Sequence, residues 1–191
     1  MRAALLAAAA LAIFLAGRTL DEAVSRLFYD PELRAFPWRH AWALETLGHE
    51  ALKWIMVGFW AACLVPKGLR RGALLMAIAA VAVTLLKQHS PYACPWDLPD
   101  WGGSAEASAA GRCLPAGHPV SGFMLFGLYF ALRPQHAVAA RAALIAAWLI
   151  GLTAGAVQIV RGAHFVSHVL WTAWIAWSVT LAADWLTRRR A

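Results

Sequence analysis

The sequence predicts an all-α fold: a polytopic membrane helix bundle of about six transmembrane helices with an amphipathic segment on its outer side. Three observations lead there. The 191 residues are 61% hydrophobic and only 14% charged, whereas ordinary soluble domains run at about 45–50% and 25%. The apolar residues follow no heptad or collagen-like triplet period, which removes coiled coil and collagen, and their abundance removes disorder and small disulfide scaffolds. Eleven Trp and a net charge of +7 find a natural place at bilayer interfaces. A chain of this length forms one domain, residues 1–191, with room for five or six spans.

Apolar stretches without an internal charge run from Ala3 to Gly17, Trp54 to Pro66, Gly72 to Leu86, Pro119 to Leu132, Ala142 to Val160 and Phe165 to Ala183. Several fall short of the ~20 residues that cross a hydrocarbon core, so Lys53, Lys87 and His118 are expected at the ends of the helices themselves. The first stretch, with Arg2 before it and Ala16 and Gly17 at its end, reads as a retained signal anchor, with a cleaved signal peptide as the alternative.

Six spans put both termini on one side. That side would hold Arg2, Lys67, Arg70, Arg71, Arg133, Arg141, Arg188, Arg189 and Arg190, with Asp184 as its only acid. The other side would hold eight Lys/Arg and nine acids, so the two sides carry +8 and −1 and close to the +7 of the chain. The positive-inside rule makes the first side cytoplasmic. The basic balance therefore reports topology, and no nucleic-acid partner is expected, because the Arg clusters sit in short loops beside spans.

Two segments lie on the far side. Arg18 to Lys53 mixes charges with Phe28, Tyr29, Phe36, Trp38 and Trp42, as suits a surface-lying amphipathic stretch or short helices at headgroup level. Gln88 to Gly117 is rich in Pro, Gly, Ser and Ala, most linker-like from Gly102 onward. It carries Cys94 and Cys113. If this loop faces the periplasm, a disulfide would tie its base near Lys87 to the chain just before His118; two reduced thiols packed in the loop are the other reading. Cys63, in mid-span, reads as a buried free thiol.

Costly polar residues gather at one depth. Lys87 ends the third span, His118 opens the fourth, Arg161 ends the fifth, and His164 and His168 open the sixth. Singly, each cation could snorkel and each His could cap a helix. Together, imidazoles and cations from four helices point to an anion site, because ionisable groups at membrane depth need a partner or a substrate to offset desolvation. Around His118, a Gly-containing turn precedes Pro119 at a first helical position, so free backbone amides could receive phosphate oxygens. His164 and His168 are four apart and share a helix face, where one ring can position the other. The same pair could hold a metal with a third ligand from His118, His89 or Asp97, but Lys87 and Arg161 would repel a cation, and no metal or cofactor is assigned.

These residues resemble the type 2 phosphatidic acid phosphatases, membrane lipid phosphatases related to vanadium haloperoxidases. That family carries Lys, six residues, Arg-Pro; then Pro-Ser-Gly-His; then Ser-Arg, five residues, His, three residues, Asp. Here Lys87 is followed after six residues by Cys94 and Pro95, Pro-Ala-Gly-His stands at Pro115 to His118, and His164 and His168 stand at the spacing of the last His and Asp. The resemblance covers Thr84 to Trp171 with the motifs in family order. It departs at four positions: Cys94 and Gln158 replace phosphate-binding Arg, Ala116 replaces Ser, and His168 replaces the orienting Asp. Arg161, three residues beyond Gln158, could return one lost charge.

Residue by residue, the resemblance implies His164 as nucleophile, His118 as general acid and His168 as the partner orienting His164. Lys87, Arg161, Gln158 and the Gly117 backbone would hold the phosphate. It further implies a metal-independent hydrolase acting through a phosphohistidine on a lipid phosphate or diphosphate at the periplasmic face of a bacterial inner membrane. Polyprenyl diphosphate, lipid A phosphate and phosphatidylglycerol phosphate are the family's usual choices. A catalytically lapsed relative that binds a lipid phosphate or scaffolds an envelope complex is the competing reading, favoured by the four substitutions. Membrane lipids are expected as surroundings, and oligomeric state is left open.

Overall fold

A computed structural model of the chain describes residues 2–188, the side chains of residues 2, 3 and 18 excepted. Arg189 and Arg190, counted above toward the basic side, lie outside the described residues. The helices are α1 (Arg2–Arg26), α2 (Leu52–Cys63), α3 (Arg70–Gln88), α4 (Ala105–Ala109), α5 (Val120–Phe123), α6 (Phe126–Leu132), α7 (Ala137–Val160) and α8 (Val166–Arg188). Among the described residues there is no strand, only an isolated bridge between Asp30 and Ala35.

Among the described residues, three helical segments are long and apolar enough to cross a membrane: Lys67–Gln88, Ala137–Val160 and Val166–Arg188. A fourth is gained if α1, bent by 50° between Ala4–Gly17 and Thr19–Arg26, counts as one span. The other two expected spans are shorter. α2 has 12 residues with Lys53 in its first turn, and a π-helical stretch, Ala43–Ala51, runs directly into it. The fourth stretch is interrupted: Leu125 and Gly127 bond to the carbonyls of Gly122 and Met124, three residues back, tightening the chain between α5 and α6. α1 also runs past Gly17, so its last turns take up part of the expected outer amphipathic segment.

The core is built where α3 packs against α6 and α8, and α7 against α5 and α6, with α1 laid along α8. Phe123, Phe126 and Phe130 are its largest fully buried side chains. Trp177 joins them in ring contacts with Phe126 and Phe130, while Trp174 donates to the Leu6 carbonyl at 2.9 Å. Trp174 and Trp177 of α8 thus serve packing. Small residues let the helices close up: a Cβ on Gly122 would stand 2.1 Å from the Gly151 nitrogen.

The two ends of the bundle differ. At one end Asp184, 1% exposed, accepts from Arg71 at 2.8 Å and from Arg133 and Arg188 at 3.0 Å, joining α3, the end of α6 and α8. The opposite ends of α3 and α8 carry Lys87 and His168, roughly 24 Å away at 1.5 Å per residue.

Candidate active site

The turn from α7 to α8 places His164. α7 ends at Val160, the Ala163 and His164 amides fold back on the Gln158 carbonyl at 2.8 and 3.3 Å, and Gly162 takes φ +73. No other residue fits there, since a Cβ on Gly162 would sit 2.3 Å from the Phe36 ring. α8 then starts beside α1, whose Asp21 accepts from the Ser167 amide at 2.7 Å and from its hydroxyl at 2.5 Å.

The loop bearing His118 is fastened to the same helix. The Ala116 amide donates to the His168 carbonyl at 3.2 Å, and the Thr172 hydroxyl donates to the Ala116 carbonyl at 2.7 Å. Ala116, where the family has Ser, is fully buried in this seam. Gly117 lies against the Lys87 side chain, its Cβ position 3.3 Å from Cδ and 3.6 Å from Nζ. Lys87 makes no ion pair among the described residues.

The structure therefore brings Lys87, Gly117, His118, His164 and His168 to one end of the bundle. His164 and His168 are both buried, 6% and 5% exposed, with Nδ1 facing Nδ1 at 3.5 Å. One ring must donate and the other accept, which leaves Nε2 of His164 outside this pair. Burial holds the His164 imidazole well below its usual range, and positive charge on His168, Lys87 or His118 would push it the same way. His118 is held at about 4, again chiefly by burial, against the opposing effect of its bond to the His49 carbonyl. Both rings are neutral at pH 7.

Arg161 is placed differently. Its guanidinium is buried and engaged by protein: Nε donates to the Arg39 carbonyl at 2.9 Å, Nη2 pairs with Glu45 at 3.0 Å and Nη1 reaches Gln158 Oε1 at 3.4 Å. Because Arg can only donate, this contact fixes the orientation of the Gln158 amide. Its Nε2 is then a buried donor without a partner.

Cys94 and Cys113 are joined in a disulfide, with Cα atoms 5.1 Å apart. Cys94 holds the place of the family's first-motif Arg, so a neutral sulfur bridge stands where a guanidinium would. Cys113 is fully buried, and its Sγ lies 3.2 Å from Nδ1 of His164.

Two residues outside the motifs complete the site, His49 and Glu45, both on the π-helical stretch before α2. His118 Nε2 donates to the His49 carbonyl at 2.7 Å and the two rings are 3.6 Å apart. The sequence carried a signal for them: Glu45, His49 and Glu50 are ionisable residues bordering the Trp54 span, at the depth of the His cluster. Their place in an amphipathic segment hid it.

No curated protein and no solved structure matches the chain. The PAP2 superfamily model matches residues 69–191, which is more than half of the chain and takes in Lys87, His118, His164 and His168. With these residues gathered at one end of a bundle of membrane-length helices, the chain belongs to the PAP2 superfamily.

Proposed function

We propose that the protein is a lipid phosphatase that hydrolyses a lipid phosphate or diphosphate monoester at the periplasmic face of a bacterial inner membrane, through a phosphohistidine. The observation that carries this reading is Gln158 Nε2, a buried amide donor with no partner at the family's phosphate-binding Arg position. A buried donor without an acceptor is costly, and a phosphate oxygen would satisfy it.

In this reading Nδ1–H of His164 donates to Nδ1 of His168, and Nε2 of His164 attacks phosphorus. A P–N bond forms as the P–O bond to the lipid breaks. The bound phosphate anion beside His118 favours its imidazolium, which keeps Nε2–H on the His49 carbonyl and gives its Nδ1 proton to the departing alkoxide. Water then attacks the phosphohistidine and gives up a proton to His118, releasing phosphate and restoring both rings. Lys87, the Gly117 amide and Gln158 hold the equatorial oxygens, where phosphoryl transfer concentrates negative charge. Arg161, tied to Glu45, braces the π-helical stretch that supports His118 and adds its charge from behind Gln158. These donors meet the phosphoryl charge without a metal ion.

The test is phosphate release from phosphatidate, a polyprenyl diphosphate and a phosphorylated lipid A, with purified protein in detergent with and without chelator. Wild type should release phosphate from at least one and form an acid-labile, base-stable phosphoenzyme. His164→Ala should abolish both, His118→Ala should lower turnover by about 10²–10⁴, and Gln158→Leu should raise KM roughly tenfold. No release from any lipid would favour the lapsed binder. Loss of activity with chelator would favour a metal hydrolase built on His164 and His168.

A further inference from the structure

The disulfide touches the proposed nucleophile, and nothing in phosphoryl transfer requires that. Cys113 Sγ is 3.2 Å from His164 Nδ1, and Cys94 Sγ, Cys113 Sγ and a His164 ring nitrogen all lie within 4.8 Å of one another. Two sulfurs and one imidazole at such distances are the donor set of a site for a thiophilic divalent cation. In a tetrahedral zinc site, with Zn–S near 2.3 Å and Zn–N near 2.0 Å, ligand atoms stand about 3.3–3.8 Å apart. The Cys113 to His164 separation already falls near that span. Only the bonded sulfurs are too close, and as long as they are bonded neither is a thiolate.

We propose that the Cys94–Cys113 bond is a redox gate: once reduced, Cys94, Cys113 and His164 form a site for Zn²⁺ that occupies Nδ1 of the nucleophile and silences the enzyme. The inhibitory half of this proposal rests on the phosphatase reading; the metal site does not. Cys94 is half-buried and Cys113 fully buried, so attack comes at Cys94. A thiolate of a dithiol reductant bonds to Cys94 Sγ, the S–S bond breaks and its electron pair leaves on Cys113. The reductant's second thiol then displaces Cys94 and closes as a cyclic disulfide, leaving two protein thiols. A dication binding both releases their two protons. Two thiolates cancel its charge, so the neighbouring Lys87 faces a neutral centre. Water or His168, whose Nδ1 is 3.5 Å from that of His164, supplies the fourth ligand.

Metal on Nδ1 of His164 would break its contact with His168 and remove the lone-pair tuning that a nucleophilic imidazole needs. Oxidised, the same bridge keeps both sulfurs from binding metal and leaves Nδ1 to His168. The gate would thus hold activity to chain that has been oxidised, the condition of disulfides in a periplasmic loop.

The full-length protein in detergent can be tested with Co²⁺ as the spectroscopic probe and Zn²⁺ as the inhibitor. Reduction by dithiothreitol, followed by its anaerobic removal, should create one Co²⁺ site per chain with thiolate-to-cobalt charge-transfer absorption. The oxidised protein should show none. His164→Ala, reduced, should bind Co²⁺ at least ~10-fold more weakly with an altered visible spectrum. Reduced wild type should lose lipid phosphatase activity on adding one equivalent of Zn²⁺ and regain it with chelator; Cys94→Ser/Cys113→Ser should show no Zn²⁺ sensitivity relative to its own baseline. Circular dichroism of the reduced, metal-free protein shows whether the fold survives, so the binding experiment does not depend on the variants. Equal Co²⁺ binding by oxidised and reduced protein, or none by a folded reduced protein, would overturn the proposal. Co²⁺ binding in a protein inactive on every lipid would uphold the metal site and count against the phosphatase reading alone.

Discussion

Nε2 of His118 donates a 2.7 Å hydrogen bond to the main-chain carbonyl of His49, and the two rings lie tilted against each other with centroids 3.6 Å apart. A group from outside the matched residues 69–191 thereby orients a motif residue and selects which nitrogen carries its proton. His49→Ala keeps the carbonyl but removes the ring, and should lower kcat roughly ten- to hundredfold with little change in KM, since small misplacements of a catalytic group cost that much. His49→Phe should restore most of the loss. Equal activity in His49→Ala and wild type would remove His49 from the site.

The titration of His118 gives a separate measurement. Its folded value of about 4 lies below the unfolded value near 6.5. Between the two, the unfolded chain takes up a proton that the folded chain refuses. Its contribution to stability is therefore complete above about pH 6.5 and is lost as pH falls through 4. NMR of labelled His118 should show it neutral at pH 6 in the free protein and shifted upward when vanadate or phosphate is bound, because an adjacent anion favours the imidazolium. A free-protein value already near 6.5 would sink this account of the general acid.

His168 stands where the family has a carboxylate, and a His can accept from Nδ1–H of His164 only while neutral. The rate should fall in acid as His168 protonates, and a rate unchanged down to the acid unfolding of the protein would contradict the role. His168→Asp should keep measurable turnover and move the acid limb to lower pH, while His168→Ala should lose about 10²-fold or more.

Gly162 sets the turn that delivers His164. Gly162→Ala would have to hold φ +73 and place a methyl 2.3 Å from the Phe36 ring. It should lower yield and activity together, by at least ~10-fold in turnover, through displacement of His164. Phe36→Ala in the same chain removes the clash but leaves the φ strain, so rescue should be partial. Thermal melting and kcat of the pair against each single variant would measure this coupling.

The Asp184 clasp should matter for stability and little for chemistry. Asp184→Asn leaves Arg71, Arg133 and Arg188 crowded without their counter-charge, at a cost of about 3 kcal/mol, the lower end for breaking a buried pair because each Arg remains partly exposed. Turnover at 25 °C should stay within about twofold, since the clasp is some 24 Å from Lys87. A large fall in kcat with an unchanged melting temperature would show that the two ends are coupled.

Read along the chain, the amino acids determined the helices, the order of the motifs and the gathering of Lys87, His118, His164 and His168 at one depth. Each of these depends on local properties: hydropathy over some twenty residues, and residue types at fixed helical spacing. The breaks in α1 and between α5 and α6 were less legible, because apolar composition does not say where a backbone bond shortens from four residues to three. What only the tertiary structure decided is which groups satisfy one another. Arg161 directly follows α7, three residues beyond Gln158, yet its guanidinium goes to Glu45, 116 residues away, and to the Arg39 carbonyl. Gln158 is left with a free donor as a consequence. His49 reaches His118 across 69 residues, and Cys113 lies beside His164 across 51. Such choices follow from the cost of burying an unpaired polar group, which is assessed only after packing has fixed who is near.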